Sequence, residues 1–373
     1  MSVIKVTRFL DRATKWNSPI YIFLLFLLLI ACSQQDDLDK KIGQMILIGF
    51  PKPEVDSLTL AEVKAGKAGA IIYFEKNLPK TNTGQAVKKM NETYQRAAPI
   101  PLLIGIDQEG GKVNRLKTKY GFPRTVSAAY IGKTQSLDTA RFYANSTAAT
   151  LASIGFNVNF APCVDLAVNP ENTVIVKVER AYSLNADSVV MFATEVVRQH
   201  RKNKVFTALK HFPGHGSSKD DTHFGVADVT NTWSESEILP YQIMFTNGYV
   251  DAVMTSHIVN KNLDPKGLPG TLSQRVIDSL LRKTISFNGV VFSDDMQMQA
   301  IAKNFTLEET IKLAINAGVD ILCFSNNIPD SEERTVDRVH RIIKKLVETG
   351  EIKRERIDDS YKRVMAMKKK LRL

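Results

Sequence analysis

Between Lys210 and His223 the chain reads KHFPGHGSSKDDTH. Three histidines, two adjacent aspartates and a lysine share one segment broken by glycine and proline. A zinc site, a proton-transfer device and a solvated loop all use such residues. The histidine spacing matches none of the compact zinc signatures, and Asp294 would have to complete the site from afar, so no metal is expected. The unit Asp221-Thr222-His223 suggests proton transfer instead. An aspartate two residues from a histidine can orient the imidazole, fix its tautomer and raise its pKa. Such a histidine can both give and take a proton near neutral pH. Gly214 and Gly216 allow backbone angles that other residues avoid, so the loop can move and bring His223 in over a bound substrate. Lys210 and His211 would hold that substrate at the root of the segment.

A second chemical signal is the aspartate pair in GVVFSDD. Asp294 follows an apolar run, where a carboxylate is partly desolvated yet reachable, as a nucleophile or general base must be. Asp295 is read as the cap of the following helix.

These groups need a scaffold that brings distant segments together. Eight short apolar runs bounded by turn signals are candidate strands: 44–50, 68–74, 101–107, 156–165, 205–212, 250–257, 289–295 and 319–325. Amphipathic stretches near 83–96, 137–153, 186–202, 234–247, 273–286, 306–317, 332–348 and 353–370 are candidate helices. Eight buried parallel strands alternating with helices predict a single α/β domain, a (β/α)8 TIM-type barrel. A doubly wound open sheet is disfavoured, because no glycine-rich nucleotide turn follows the first strand. In a barrel the strand ends converge on one face. Asp107, Asp165, Lys210-His211, His257, Asp294-Asp295 and Ser325-Asn326 all stand at such ends, and charge there is expensive unless it pairs or binds. His215, His257 and Asp165 are read as structural support.

The N-terminus has a different character. Lys5, Arg8, Arg12 and Lys15 precede an unbroken apolar run from Ile20 to Ala31. Residues 1–31 read as a secretion signal, too short to span a bilayer comfortably. Leu29-Ile30-Ala31-Cys32 resembles a bacterial lipobox, so Cys32 is the expected lipidation site, residues 32–40 a polar tether and residues 41–373 the barrel domain. Loss of residues 1–31 lowers the formal charge from +11 to +8. The remaining lysines are scattered, and the KKKLR run near the C-terminus has no interleaved aromatics, which argues against a nucleic-acid partner. Cys163 and Cys323 lie in apolar runs and are expected to be buried free thiols.

With these positions in view, IDQEGGKVNRL, GFNVNFAPCVDL, KHFPGHGSSKDDTH and GVVFSDDMQMQAI, in this order and at these separations, resemble the β-N-acetylglucosaminidases of glycoside hydrolase family 3. The similarity runs from about Leu38 to the C-terminus. It implies a retaining hydrolysis through a covalent glycosyl-enzyme, without metal or organic cofactor. Asp294 matches the nucleophile, His223 the acid/base and Asp221 its dyad partner. Asp107, Arg115, Arg180, Lys210 and His211 match residues that hold the terminal sugar. Lys112 stands where the family usually has arginine, and VIVKVERAYS is looser than the usual pattern around Arg180. The resulting expectation is a monomeric exo-β-N-acetylglucosaminidase acting on peptidoglycan fragments (muropeptides) or related oligosaccharides, anchored by lipid in the bacterial cell envelope, with the outer membrane as its support. A phosphorolytic hexosaminidase and a non-catalytic muropeptide-binding lipoprotein are the alternatives.

Overall fold

The computed structural model describes residues 37–222, 225–326 and 335–371. Eight strands form a closed, all-parallel barrel in chain order: β1 Ile46–Gly49, β2 Ala70–Tyr73, β3 Leu103–Ile106, β4 Val158–Asn159, β5 Phe206–Phe212, β6 Ala252–Thr255, β7 Val290–Asp295 and β8 Ile321–Phe324. Each lies within one of the apolar runs expected to form it. Closure comes from β8 pairing with β1, with Leu322 beside Ile46 and Phe324 beside Ile48.

The alternation of side chains separates two apolar layers. Leu47, Ile72, Leu103, Val158, Ala208, Met254, Phe292 and Cys323 share the barrel interior. Ile46, Ile48, Tyr73, Ile104, Leu209, Val253, Val291 and Leu322 belong to the larger core that also includes side chains of the surrounding helices. The C-terminal helix Arg354–Lys369 contributes Val364 and Met367 to the interior cluster, and Leu371 follows them. This helix therefore plugs one end of the barrel.

The same end carries a buried polar network. Asp320, just before β8, is completely buried and meets Arg282 Nη2 at 2.6 Å, Arg356 Nη2 at 3.0 Å and Arg363 Nη1 at 3.2 Å. Ser360 Oγ and the Val291 amide also donate to it. Lys368 Nζ donates to Gln44 Oε1 at 2.5 Å and Gly69 O at 2.7 Å.

The helices at 137–153 and 186–202 form over the expected residues, capped by Ser136 and Asn185, whose side chains accept the Thr139 and Ser188 amides. Expected helix 234–247 instead divides into a 3₁₀ turn Glu235–Ile238 and a helix Leu239–Thr246 with Pro240 in its first turn. Stretch 273–286 winds as a π-helix over Arg275–Thr284. Helices Ser57–Lys64 and Ala128–Thr134 went unanticipated; eight and seven residues are too short for a clear period. The tether boundary moves as well. Residues 37–44 are helical, Leu38 is buried, and Asp37 pairs with Lys41 and Arg354, so positions 37–40 belong to the folded domain. Cys32 and the rest of the expected leader lie outside the described residues. Cys163 and Cys323 are buried free thiols.

Candidate active site

Strand ends at the face opposite the C-terminal plug supply the charged groups. β3 leads into Asp107 and Glu109; β5 contains Lys210 and His211; β7 ends in Asp294 and Asp295. A cavity of about 550 Å³ opens there, bordered by Asp107, Arg115, Arg180, Lys210, His211 and Asp294. All five expected sugar-binding residues and the expected nucleophile thus converge on one space. Asp221 is half-buried and does not border it, whereas Thr222 beside it does. His223 lies outside the described residues.

An alternating chain of charges links Asp107, Lys210 and Arg180 on the cavity wall through Glu109 behind them. Lys210 is buried, and its ammonium lies 2.7 Å from Asp107 Oδ1 and 2.7 Å from Glu109 Oε1. Arg180 grips Glu109 with both arms of its guanidinium, Nε to Oε2 at 2.8 Å and Nη2 to Oε1 at 2.7 Å. Burial opposes the charge on Lys210, but Asp107 and Glu109 outweigh it and hold the group above the ordinary lysine range. Burial likewise opposes the charge on Glu109, but Arg180 and Lys210 keep its carboxyl well below the usual carboxylate range. Arg115 Nη2 stands 3.7 Å from Asp107 Oδ2. Asp107 keeps partial exposure toward the cavity, so it can accept ligand hydroxyls while Lys210 fixes its other oxygen.

Glu109 was not among the residues singled out in the sequence. It sits in IDQEGGKV, two positions after Asp107, and an isolated acid in a glycine-bearing turn reads as surface. The available signal was that a basic pair, Lys210 and Arg180, must be neutralised if both are buried.

His211 has a determined protonation pattern. Arg180 Nη2 approaches its Nε2 at 3.1 Å, and arginine can only donate; Nε2 is therefore the acceptor and Nδ1 carries the proton to Asp165 Oδ2 at 2.7 Å. Asp165 also accepts the amides of His211 and His215 and the Cys163 thiol. Burial would raise its carboxyl, yet the contacts with His211 and His215 hold it low. Cys163, Asp165 and His211 put possible metal-ligand atoms within 4.8 Å of one another. Asp165 already accepts hydrogen bonds from both His211 Nδ1–H and the Cys163 thiol, and burial pushes that thiol well up, so this group is a hydrogen-bonded support for His211 rather than a set of free donor pairs.

Around Asp294 the backbone is tightly tied. Its Oδ1 accepts the Asp295 amide at 2.8 Å. Asp295 turns back, accepting the Gln297 amide at 3.1 Å and the Ser325 amide at 3.2 Å through Oδ1, so it caps the turn after β7 and links it to β8. Burial raises the Asp295 carboxyl above its ordinary value. His257, at the end of β6, donates Nε2–H to the Asp295 carbonyl at 2.9 Å. Both residues brace the Asp294 position; the following helix Gln299–Ala302 has Met298 at its N-cap, so Asp295, expected to cap that helix, caps the turn before it instead.

Converging carboxylates, cations and an oriented imidazole at the mouth of a (β/α)8 barrel define the enzyme class that works on hydroxyl-rich ligands at such mouths. Comparison with known proteins makes the class specific. The chain belongs to glycosyl hydrolase family 3: the family's N-terminal domain matches residues 37–367. It is a glycoside hydrolase of the β-N-acetylhexosaminidase group. It is 31% identical over 285 residues to a beta-hexosaminidase of Stenotrophomonas maltophilia, covering 74% of this chain and 82% of that one. A glycoside hydrolase family 3 beta-N-acetylglucosaminidase from Paenibacillus superposes with a TM-score of 0.82 at 33% identity, over 90% of this chain and 62% of that longer one. The beta-N-acetylhexosaminidase of Beutenbergia cavernae does so with a TM-score of 0.77 at 26% identity, over 89% of this chain and 98% of that one.

Proposed function

We propose that this protein is a retaining, exo-acting β-N-acetylglucosaminidase that removes terminal non-reducing N-acetylglucosamine from peptidoglycan fragments or related oligosaccharides. The observation that carries the reading is the placement of Asp294 on the same cavity as Asp107, Arg180, Lys210 and His211. Asp107 and the cations hydrogen-bond the sugar hydroxyls and fix the ring. The Asp294 carboxylate then attacks the anomeric carbon as the glycosidic C–O bond breaks, and His223 passes its proton to the departing oxygen. In the second half the imidazole takes a proton from water, whose oxygen displaces Asp294 and restores the carboxylate. Asp221 orients His223 and stabilises its charged form.

Support for bringing His223 to Asp294 comes from the neighbouring residue. Thr222 borders the cavity, and its carbonyl accepts the Ala300 amide at 3.3 Å, so the segment is tied to the turn following β7. Hydrolysis of a chromogenic N-acetyl-β-glucosaminide by the Asp294→Asn variant tests the assignment; unchanged turnover would remove Asp294 as nucleophile. Proton NMR of the first-formed sugar should show the β-anomer, and an α-product would overturn the retaining course. The same reading includes anchorage through a lipid on Cys32 in the cell envelope. A Cys32→Ser variant should shift from the membrane to the soluble fraction and lose incorporation of labelled palmitate.

A further inference from the structure

We propose that Glu237 is a positioning residue for proton transfer: its buried carboxylate fixes the root of the segment that carries Asp221 and His223. The proposal rests on the acid/base role given to His223 above. Glu237 sits on the 3₁₀ turn Glu235–Ile238, is fully buried and does not border the cavity. Its Oε2 accepts the amides of Gly216 at 2.8 Å and Ser217 at 3.3 Å.

The packing there leaves no slack. Gly214 has φ +117, and a Cβ added to it would lie 2.6 Å from the Glu237 Cβ. A Cβ on Gly216 would lie 1.9 Å from the Leu166 carbonyl oxygen. The two glycines thus let the segment pass between Glu237 and the loop following β4. That loop holds the opposite side: Asp165 takes the His215 amide at 2.8 Å, Asn172 donates to His215 O at 2.8 Å, and Asn169 donates to Ser218 O at 2.9 Å. From Ser218 only Lys219 and Asp220 separate this clamp from Asp221.

Asp165 also orients His211, so removing it would disturb sugar binding as well. Glu237 makes no contact with the cavity floor, and its loss isolates the loop. Its Oε1 has no partner among the described residues, and burial pushes the carboxyl up to about 7. Burying a carboxyl without a cation is unfavourable. What it provides here is an acceptor for two consecutive loop amides that no neighbouring backbone supplies.

Proton donation matters only when the leaving group is a poor one, and this separates a positioning role from a merely structural one. The kcat/KM values of the Glu237→Ala and Glu237→Gln proteins are to be measured on N,N′-diacetylchitobiose, whose departing alkoxide needs a proton, and on 2,4-dinitrophenyl N-acetyl-β-glucosaminide, whose phenolate does not. Because kcat/KM reports the glycosylation step, Glu237→Ala should lose about 30-fold or more on the disaccharide and under about 3-fold on the activated glycoside. Glu237→Gln, which keeps an accepting oxygen, should recover most of the difference. Parallel losses on both substrates, or no loss on either, by Glu237→Ala would overturn the proposal; should Glu237→Ala fail to fold, Glu237→Met, which keeps the bulk but offers no accepting oxygen to the Gly216 and Ser217 amides, decides by the same ratio. His223→Ala is run alongside. If it shows no selective loss on the disaccharide, the acid/base reading fails and the premise with it. If it does and the Glu237 variants do not, the positioning proposal alone fails.

Discussion

The two ends of the barrel bury charge in opposite ways. At the plugged end Asp320 is surrounded by Arg282, Arg356 and Arg363, two of them from the C-terminal helix, and Lys368 of that helix reaches neutral oxygens of Gln44 and Gly69. These side chains pair with protein groups, although Arg356 Nη1 is buried with no hydrogen-bond partner among the described residues, and none of them borders the cavity at the open end. At the open end Lys210 and Arg180 are held by Glu109 behind them, while Asp107, Arg115 and His211 retain a side facing the cavity. The first arrangement locks a helix into place. The second keeps charges fixed but unfinished, ready for a ligand to complete them, which is how a preorganised site is built.

Substitutions that act on one end only test this contrast, and the largest effect belongs to Asp294. Asp294→Asn should lower kcat by roughly three orders of magnitude or more while thermal unfolding stays within a degree or two of wild type, because the change is isosteric and removes only the charge to which the proposed function gives the attack. A Tm fall accompanying the lost activity would show that Asp294 is structural.

Next come the two central carboxylates. Glu109→Ala leaves Lys210 and Arg180 buried without their shared partner, and should cost about 3–5 kcal/mol of stability together with most of the activity. Asp320→Asn should cost a comparable about 3–5 kcal/mol in chemical denaturation but leave kcat/KM within about twofold well below the midpoint. Equal activity loss in both variants would erase the distinction between the ends.

Lys368 gives a smaller and pH-dependent effect. Burial lowers its pKa from 10.5 to about 7, so the folded protein binds fewer protons than the unfolded chain between these values. Stability should therefore rise as pH goes from 7 toward 10, by on the order of a few kcal/mol at most, and Lys368→Met should flatten that limb. The open end predicts the opposite limb. Glu109 and Asp165 have folded pKa values below their ordinary ones, so their stabilisation is present above about pH 4.5 and is lost as the medium becomes more acidic. Glu109→Gln should weaken the acid dependence, readable as the difference between two denaturation series.

Much of the architecture was legible before any coordinates. Eight apolar runs became eight strands, because strands buried on both faces write a continuous hydrophobic signal. The strand-end rule then gathered Asp107, Lys210, His211 and Asp294 onto one mouth, and Arg115 and Arg180 joined them from loops. What escaped were residues whose meaning is a partner far away in the chain. Glu109 lies 71 positions from Arg180, and Asp320 lies 38 from Arg282 and 43 from Arg363. Glu237 sits in SESEIL, indistinguishable by local pattern from an exposed helix start. The helical onset at 37–44 was missed for the same reason: DDLDKK reads as solvated until Asp37 meets Arg354.

Periodicity and residue type are local, and they alone determined the barrel, the order of its strands and the identity of most groups at its mouth. Which carboxylate holds which cation, which nitrogen of His211 carries the proton, and which buried acid accepts the Gly216 and Ser217 amides were decided by the closed barrel. Those choices depend on desolvation and on distances of about 3 Å between segments dozens of residues apart, quantities that exist only once the chain has folded.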